Sequence, residues 1–351
     1  MKTLRNLTAL GLFGALALAA ASCGDTNNPA PEPEPVKQSF TVDSFDASLK
    51  DYVTRADGSY WEEGDQIGVF AMTYDLSYGS DLSPKNIPFG YTSGTNGDFT
   101  AVDAPLSGEY TEEVTLFAYY PYKAAQSYVF DKETRSVEFT IDLTDQSSLS
   151  DIDFMLGVDQ VIGGSYGPET PPGSSDEFVP NFEFTHMLSM VGFTFMDPRG
   201  PSMGFIPDKA SVTVEGLEGS AVCGINNATD PLRRYTYAGN QDLKKDFTFY
   251  GEAFKQVDSS DPAIGEFEYL PTIYAILRPG DTISQVTTNI FGVTQTVTLD
   301  PAITLEEGKI YSILFDISNG QAPNSSSYEV TGVTTSIVDW EGGGRVEYPL
   351  F

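Results

Sequence analysis

The chain has 351 residues, 40% of them hydrophobic and 13% aromatic, which is enough for about two packed cores. Fifty acidic residues stand against 19 basic ones, giving a formal charge of −31; such a surface repels phosphate backbones and excludes nucleic acid as a partner. A single histidine rules out the two-histidine metalloprotease motif and most zinc sites, and neither a metal nor a cofactor is expected.

Residues 1–22 read as an export signal: Lys2 and Arg5, then an apolar run from Leu10, then small residues. The run falls short of the ~20 apolar residues that a membrane span needs. Ala20, Ala21, Ser22 and Cys23 resemble the lipobox of bacterial lipoproteins. Cys23 is therefore the expected lipidation site, carrying diacylglycerol and palmitate at the first residue of the mature chain. The alternative is ordinary cleavage near Ala21, with Cys23 incidental. Residues 23–39 alternate Pro with Glu and read as an extended tether, reaching roughly 50 Å at ~3.1 Å per residue. If Cys23 is lipidated, Cys223 has no partner for an intrachain disulfide. Its apolar neighbours, Ala221 and Val222, predict a buried, inert thiol.

From Phe40 onward the pattern is β. Ile67–Met72 follows a turn at Gly64 and Asp65. Val114–Tyr120 is apolar on both faces and stops at Pro121, as an inner strand would. Val137, Phe139, Ile141 and Leu143 alternate with polar residues, which is the signature of a half-buried strand. Phe182, Phe184, His186, Leu188 and Met190 share one face while Phe193 and Phe195 fall on the other, which predicts a bulge or two-sided burial. Further strands are expected at Ser211–Glu215, Phe247–Tyr250, Ile273–Leu277, Thr294–Leu299 and Ile310–Ile317. The one short helical candidate is Phe45–Val53, with poor caps. The Gly, Pro and Ser of Gly163–Pro180 make the best break. The chain is thus expected to be all-β, two packed β-sandwich domains in tandem at 40–178 and 179–351.

Chemistry is sparse. Gly163–Gly167 matches G-x-S-x-G around Ser165, and Asp176 and His186 follow in triad order. The prolines and glycines after Ser165 forbid the helix that a nucleophile elbow requires, so the pattern reads as a loop and the chain as no enzyme. His186 lies in an apolar strand and reads as a core histidine with a hydrogen-bond partner. Asp151 and Asp153 are expected on one strand face, with Asp142 and Asp145 nearby as candidate calcium ligands; a solvated acidic loop is the default.

Six segments in order resemble the fimbrillin family, the type V pilus proteins of Gram-negative bacteria. They are Thr54-Arg55 with Trp61, Gly64-Asp65 and Ile67–Val69; Ala118–Tyr122; Asp145-Gln146 with Asp151–Leu156; Phe184–Ser189; Glu307–Tyr311; and Ile337–Trp340. The resemblance implies two transthyretin-like β-sandwich domains in a surface lipoprotein of the cell outer membrane, lipid-anchored or pilus-associated. It also implies processing by an arginine-specific protease, which maps onto Arg55 with Ala56 as the new N-terminus; an ordinary loop arginine is the alternative. Loss of the first strand, read here as Ser39–Phe45, would open a groove that a strand from another pilus subunit fills. Arg345–Phe351, after the Gly342–Gly344 hinge, has the alternation of a donor strand; it reads equally as the last strand of the fold. The implied role is a structural or accessory pilus subunit, as stalk, tip or anchor, that mediates adhesion. The alternative is a stand-alone surface lipoprotein binding glycans or host proteins, with Tyr74, Tyr78, Tyr91, Tyr166 and Tyr328 as a loop platform.

Overall fold

The computed structural model describes residues 38–49, 61, 63–73, 86–93, 97–110, 113–122, 128–131, 136–163, 180–196, 210–226, 233–238, 244–250, 272–290, 292–318 and 329–340. The first half of the chain contributes β1 (Gln38–Val42), β2 (Ser44–Leu49), β3 (Gln66–Thr73), β4 (Ile87–Ser93), β5 (Asp98–Ala101), β6 (Leu106–Tyr110), β7 (Glu113–Tyr120), β8 (Tyr128–Asp131) and β9 (Ser136–Asp142). A single helical turn, α1 (Leu149–Ile152), leads to β10 (Met155–Gly163) and β11 (Asn181–His186). The second half adds β12 (Ser189–Met196), β13 (Ala210–Glu218), β14 (Ser220–Asn226), β15 (Arg233–Ala238) and β16 (Lys244–Tyr250). It ends with β17 (Thr272–Leu277), β18 (Thr282–Ile290), β19 (Val293–Thr304), β20 (Lys309–Ser318) and β21 (Glu329–Asp339). The protein is all-β.

Seven strands close into a barrel in the order β10-β11-β2-β5-β4-β3-β7, while β1 and β6 pair as a separate ribbon. Strand β7 shows why its sequence is apolar on both faces. Leu116, Ala118 and Tyr120 point into the barrel core with Ile67, Val69 and Phe89. Phe117 and Tyr119 point outward onto Val137, Phe139 and Ile141 of β9. Gly68 on β3 leaves room for the Tyr119 ring; a Cβ there would lie 2.0 Å from it. The turn before β3 is made at Gly64, whose φ of 103° suits glycine.

The outer layer against that face is the sheet β15-β14-β9-β8. Its buried residues include Cys223 of β14. Burial pushes the Cys223 thiol up to about 12, and the hydroxyl of Thr236 donates to its sulfur at 3.8 Å. A thiol reagent is therefore expected to leave Cys223 untouched in folded protein that begins after Cys23, and to titrate one thiol per chain once denaturant is added.

A sandwich forms the rest, with β17-β12-β20-β21 packed on β16-β13-β18-β19. Val191, Phe193, Tyr311, Ile313 and Phe315 face Val212, Val214, Val286 and Ile290 across it. All described residues belong to one compact unit, Lys37–Phe351. Strands on either side of position 178/179 share sheets: β11 pairs with β2 and β10, and β14 pairs with β9.

Two local expectations are corrected, and of the alternatives after His186 two-sided burial is the one observed. Ser44–Leu49 is a strand, not the start of a helix, because Phe45 and Ala47 alternate into the barrel core. The change of phase after His186 is a break between β11 and β12 at Met187–Leu188, without a bulge. There the chain leaves the barrel and enters the sandwich, so both faces are buried. Asp151 and Asp153 flank the end of α1 instead of sharing a strand face; Asp151 is exposed and Asp153 fully buried.

Candidate functional site: the N-terminal strand and its groove

Residues 38–49 run as two strands joined at Asp43. Strand β1 lies antiparallel to β6, from Gln38 opposite Tyr110 to Val42 opposite Leu106. Strand β2 then enters the barrel between β5 and β11. It pairs antiparallel with β5 (Phe45 opposite Phe99) and parallel with β11 (Ala47 opposite Phe182). Without β2 the barrel would have two open edges.

Three inward side chains fix the segment. Val42 is buried beside Leu106, and Ala47 has no exposed surface. Phe45, 1% exposed, meets Phe89, Phe182 and Phe99 at ring separations of 4.8, 4.9 and 5.9 Å. Full burial of a phenylalanine is worth about 1.5–3 kcal/mol, and aromatic edge contacts add to that. Backbone bonds outside the ladder hold the kink and the exit. The Ala101 N–H donates to Asp43 O at 3.0 Å, and the Ala47 N–H donates to Gly97 O at 2.9 Å.

Trp61 clamps the far end. Its ring is edge-on to Phe99, Tyr120 and Phe184, and its Nε1–H donates to Ala47 O at 3.2 Å. Gly97, at φ 76°, lets the indole approach, since a Cβ there would lie 2.5 Å from it. The expected removable strand, Ser39–Phe45, thus covers most of β1 and the first two residues of β2. The residues that fill the groove continue to Ala47.

Cys23 and the expected tether as far as Lys37, together with Arg55, Ala56, Ser165, Asp176, Tyr74, Tyr78, Tyr166, Tyr328 and the tail 342–351, lie outside the described residues, whereas Gln38 and Ser39, also expected in the tether, belong to β1. Tyr91 is in β4, half-buried against Phe99, so it does not belong to a loop platform. His186 is a core histidine: its Nδ1 is 2.6 Å from Asp153 Oδ1, and its ring stacks on Trp340 at 3.8 Å. Asp142 and Asp145 bind their own turns, accepting from the N–H groups of Thr144 and Ser147. The hydrogen bonds from Ser147 hold the exposed Asp145 carboxyl below the usual carboxylate range. Among the described residues no three His, Cys, Asp or Glu side chains converge as a metal site.

A family profile described as fimbrillin-like matches residues 54–340. The chain belongs to the fimbrillin-like family. The match begins one residue before Arg55 and ends at Trp340. This family is one of structural pilus proteins, not enzymes. Among solved structures, the fimbrillin-like chain is similar to a candidate cell adhesion protein of Bacteroides uniformis, at 18% identity and a TM-score of 0.51; 85% of this chain and 98% of that one are covered. A candidate cell adhesion protein of Bacteroides ovatus matches at 19% identity and a TM-score of 0.54, with 86% and 98% covered. At such identities the likeness is one of fold. Comparison with curated protein sequences finds no match.

Proposed function

We propose that the protein is a structural or accessory subunit of a type V pilus, exported as a lipoprotein through Cys23 and assembled by donor-strand exchange at the groove of β2. One observation carries the reading: β2 closes the barrel, yet the whole segment 38–49 lies upstream of Arg55 in the chain. A cut after Arg55 would leave β1 and β2 held by noncovalent contacts alone. Trp61 and the rest of the groove would stay with the body. Other pilus subunits are the partners, bound by backbone pairing to β5 and β11 and by an apolar side chain in the place of Phe45. Outer-membrane anchoring through Cys23 would suit an anchor subunit that keeps its first strand.

The test is digestion of the intact exported chain with an arginine-specific protease, followed by terminal sequencing and gels of unheated and mildly heated samples. The expected result is a new N-terminus at Ala56 together with a ladder of β-rich oligomers. Cleavage after Arg55 that leaves only monomers, at concentrations well above those of the digestion, would overturn strand exchange. The terminus of protein recovered from its native surface then separates the roles: lipid-bearing Cys23 marks an anchor, and Ala56 marks a stalk.

A further inference from the structure

The seat of β2 in the barrel carries a size pattern that its present occupant spells out. Five rings form a closed circuit there. Phe45 neighbours Phe99 at 5.9 Å, Phe99 neighbours Trp61 at 5.2 Å and Trp61 neighbours Phe184 at 5.6 Å. Phe184 neighbours Phe182 at 6.5 Å, and Phe182 returns to Phe45 at 4.9 Å. Only Phe45 belongs to β2; the other four rings come from β5, β11 and the segment ahead of β3. Two residues on, Ala47 faces the same core and has no exposed surface. Both of its backbone groups are bonded here: the carbonyl accepts from Trp61 Nε1–H at 3.2 Å, and the N–H donates to Gly97 O at 2.9 Å. The fit is tight, since a Cβ on Gly97 would lie 2.5 Å from the indole and 2.7 Å from Ala47 O.

We infer that this seat selects the strand that fills it: a ring in the place of Phe45 and, two residues on, a side chain no larger than alanine, with Trp61 setting that limit. The inference rests on strand exchange at β2, as proposed above, and names the strand chemistry that such exchange accepts. Residues i and i+2 of a strand point to one face, so the two places are filled together. When residues 38–55 leave, four rings of the circuit stay with the body. The space they wall is lined by aromatic faces and edges, which favour another ring. The second place differs. Extra methylenes forced into a packed core destabilise it, just as missing ones do. The indole beside Ala47 has no simple retreat, because moving it breaks the bond to the carbonyl of residue 47 and its contacts with Phe99, Tyr120 and Phe184. Its Nε1–H thus holds the backbone of the incoming strand, and its bulk limits the side chain.

The experiment uses the full exported chain cut after Arg55. Isotopically labelled peptides with the sequence of residues 38–49 are added in excess, and native mass spectrometry follows replacement of the resident fragment. The parent peptide is compared with Phe45→Ala and Ala47→Leu peptides. A groove that is merely apolar would take the Ala47→Leu peptide more tightly, because it buries more hydrocarbon. The expected result is the reverse: at least about tenfold weaker entry for Ala47→Leu, and at least about a hundredfold weaker for Phe45→Ala. A Trp61→Leu body, cut in the same way, should take the Ala47→Leu peptide at least as well as the parent peptide. Should that body fail to fold, Trp61→Phe is read by the same criterion, and the comparison of peptides on the parent body stands without it. Entry of the Ala47→Leu peptide into the parent body as readily as the parent peptide would overturn the inference and leave strand exchange standing. Failure of the parent peptide itself to enter would overturn both.

Discussion

Replacing Phe45 by alanine is expected to lower unfolding stability by about 3–5 kcal/mol, the range for deleting a buried phenylalanine. The ring is 1% exposed, with Phe89, Phe99 and Phe182 around it and the closing seam of the barrel on either side. Phe45→Leu keeps most of the volume and should cost less than about 1.5 kcal/mol. Urea unfolding monitored by near-ultraviolet circular dichroism gives both numbers. The same change predicts a larger effect on a chain cut after Arg55. While the chain is intact, a short linker holds β2 near its groove at an effective concentration of the order of millimolar. Once cut, retention is a bimolecular matter, and about 3–5 kcal/mol becomes a loss of roughly two to three and a half orders of magnitude in affinity. The cut Phe45→Ala protein should therefore release residues 38–55 at concentrations where the cut parent keeps them, as mass spectrometry after rapid desalting would show. A stability loss under 1 kcal/mol would mean that β2 is not part of the barrel core.

Much of this architecture is legible in the residues themselves. The alternation of Val137, Phe139 and Ile141 gives β9, and the unbroken apolar run before Pro121 gives β7 as an inner strand. The fimbrillin resemblance rests on turns and strand ends, such as Gly64-Asp65 and Ile337–Trp340, which the structure places at the start of β3 and at the end of β21. Strand β2 is harder to read. Phe45 and Ala47 are only two inward residues between polar ones, and a pattern that short fits a helix turn as well as a strand. Its pairing with β5 and β11 joins segments about 50 and 135 residues apart in sequence, and periodicity carries no information about such distances. Gln146 lies in a family motif, but its bond to Ile276 spans 130 residues and leaves no mark on either neighbourhood. His186 is legible as buried because its neighbours are apolar. Its partner is not, since Asp153 lies in an acidic stretch where the solvated reading is the natural one.

That pair carries the second large effect. His186 ends β11 and Asp153 follows α1, and their side chains, 1% and 0% exposed, meet at 2.6 Å under the indole of Trp340. Trp340 is held in turn by its backbone N–H, which donates to Gly308 O at 2.8 Å. Three distant segments thus converge on one buried polar contact. Removing one partner from such a contact leaves a polar group buried with less than its due, and typically costs about 3–5 kcal/mol; replacing both with apolar groups removes the pair together and costs less than the sum of the two single changes. His186→Leu and Asp153→Leu should each destabilise by about that amount, and the double variant by much less than their sum. The coupling from the double-mutant cycle, read from urea unfolding, should exceed 1 kcal/mol. Additivity within about 0.5 kcal/mol would show that the two side chains are merely adjacent. Strong coupling would instead make the pair a tie between the start of β10, the end of β11 and Trp340 at the end of β21.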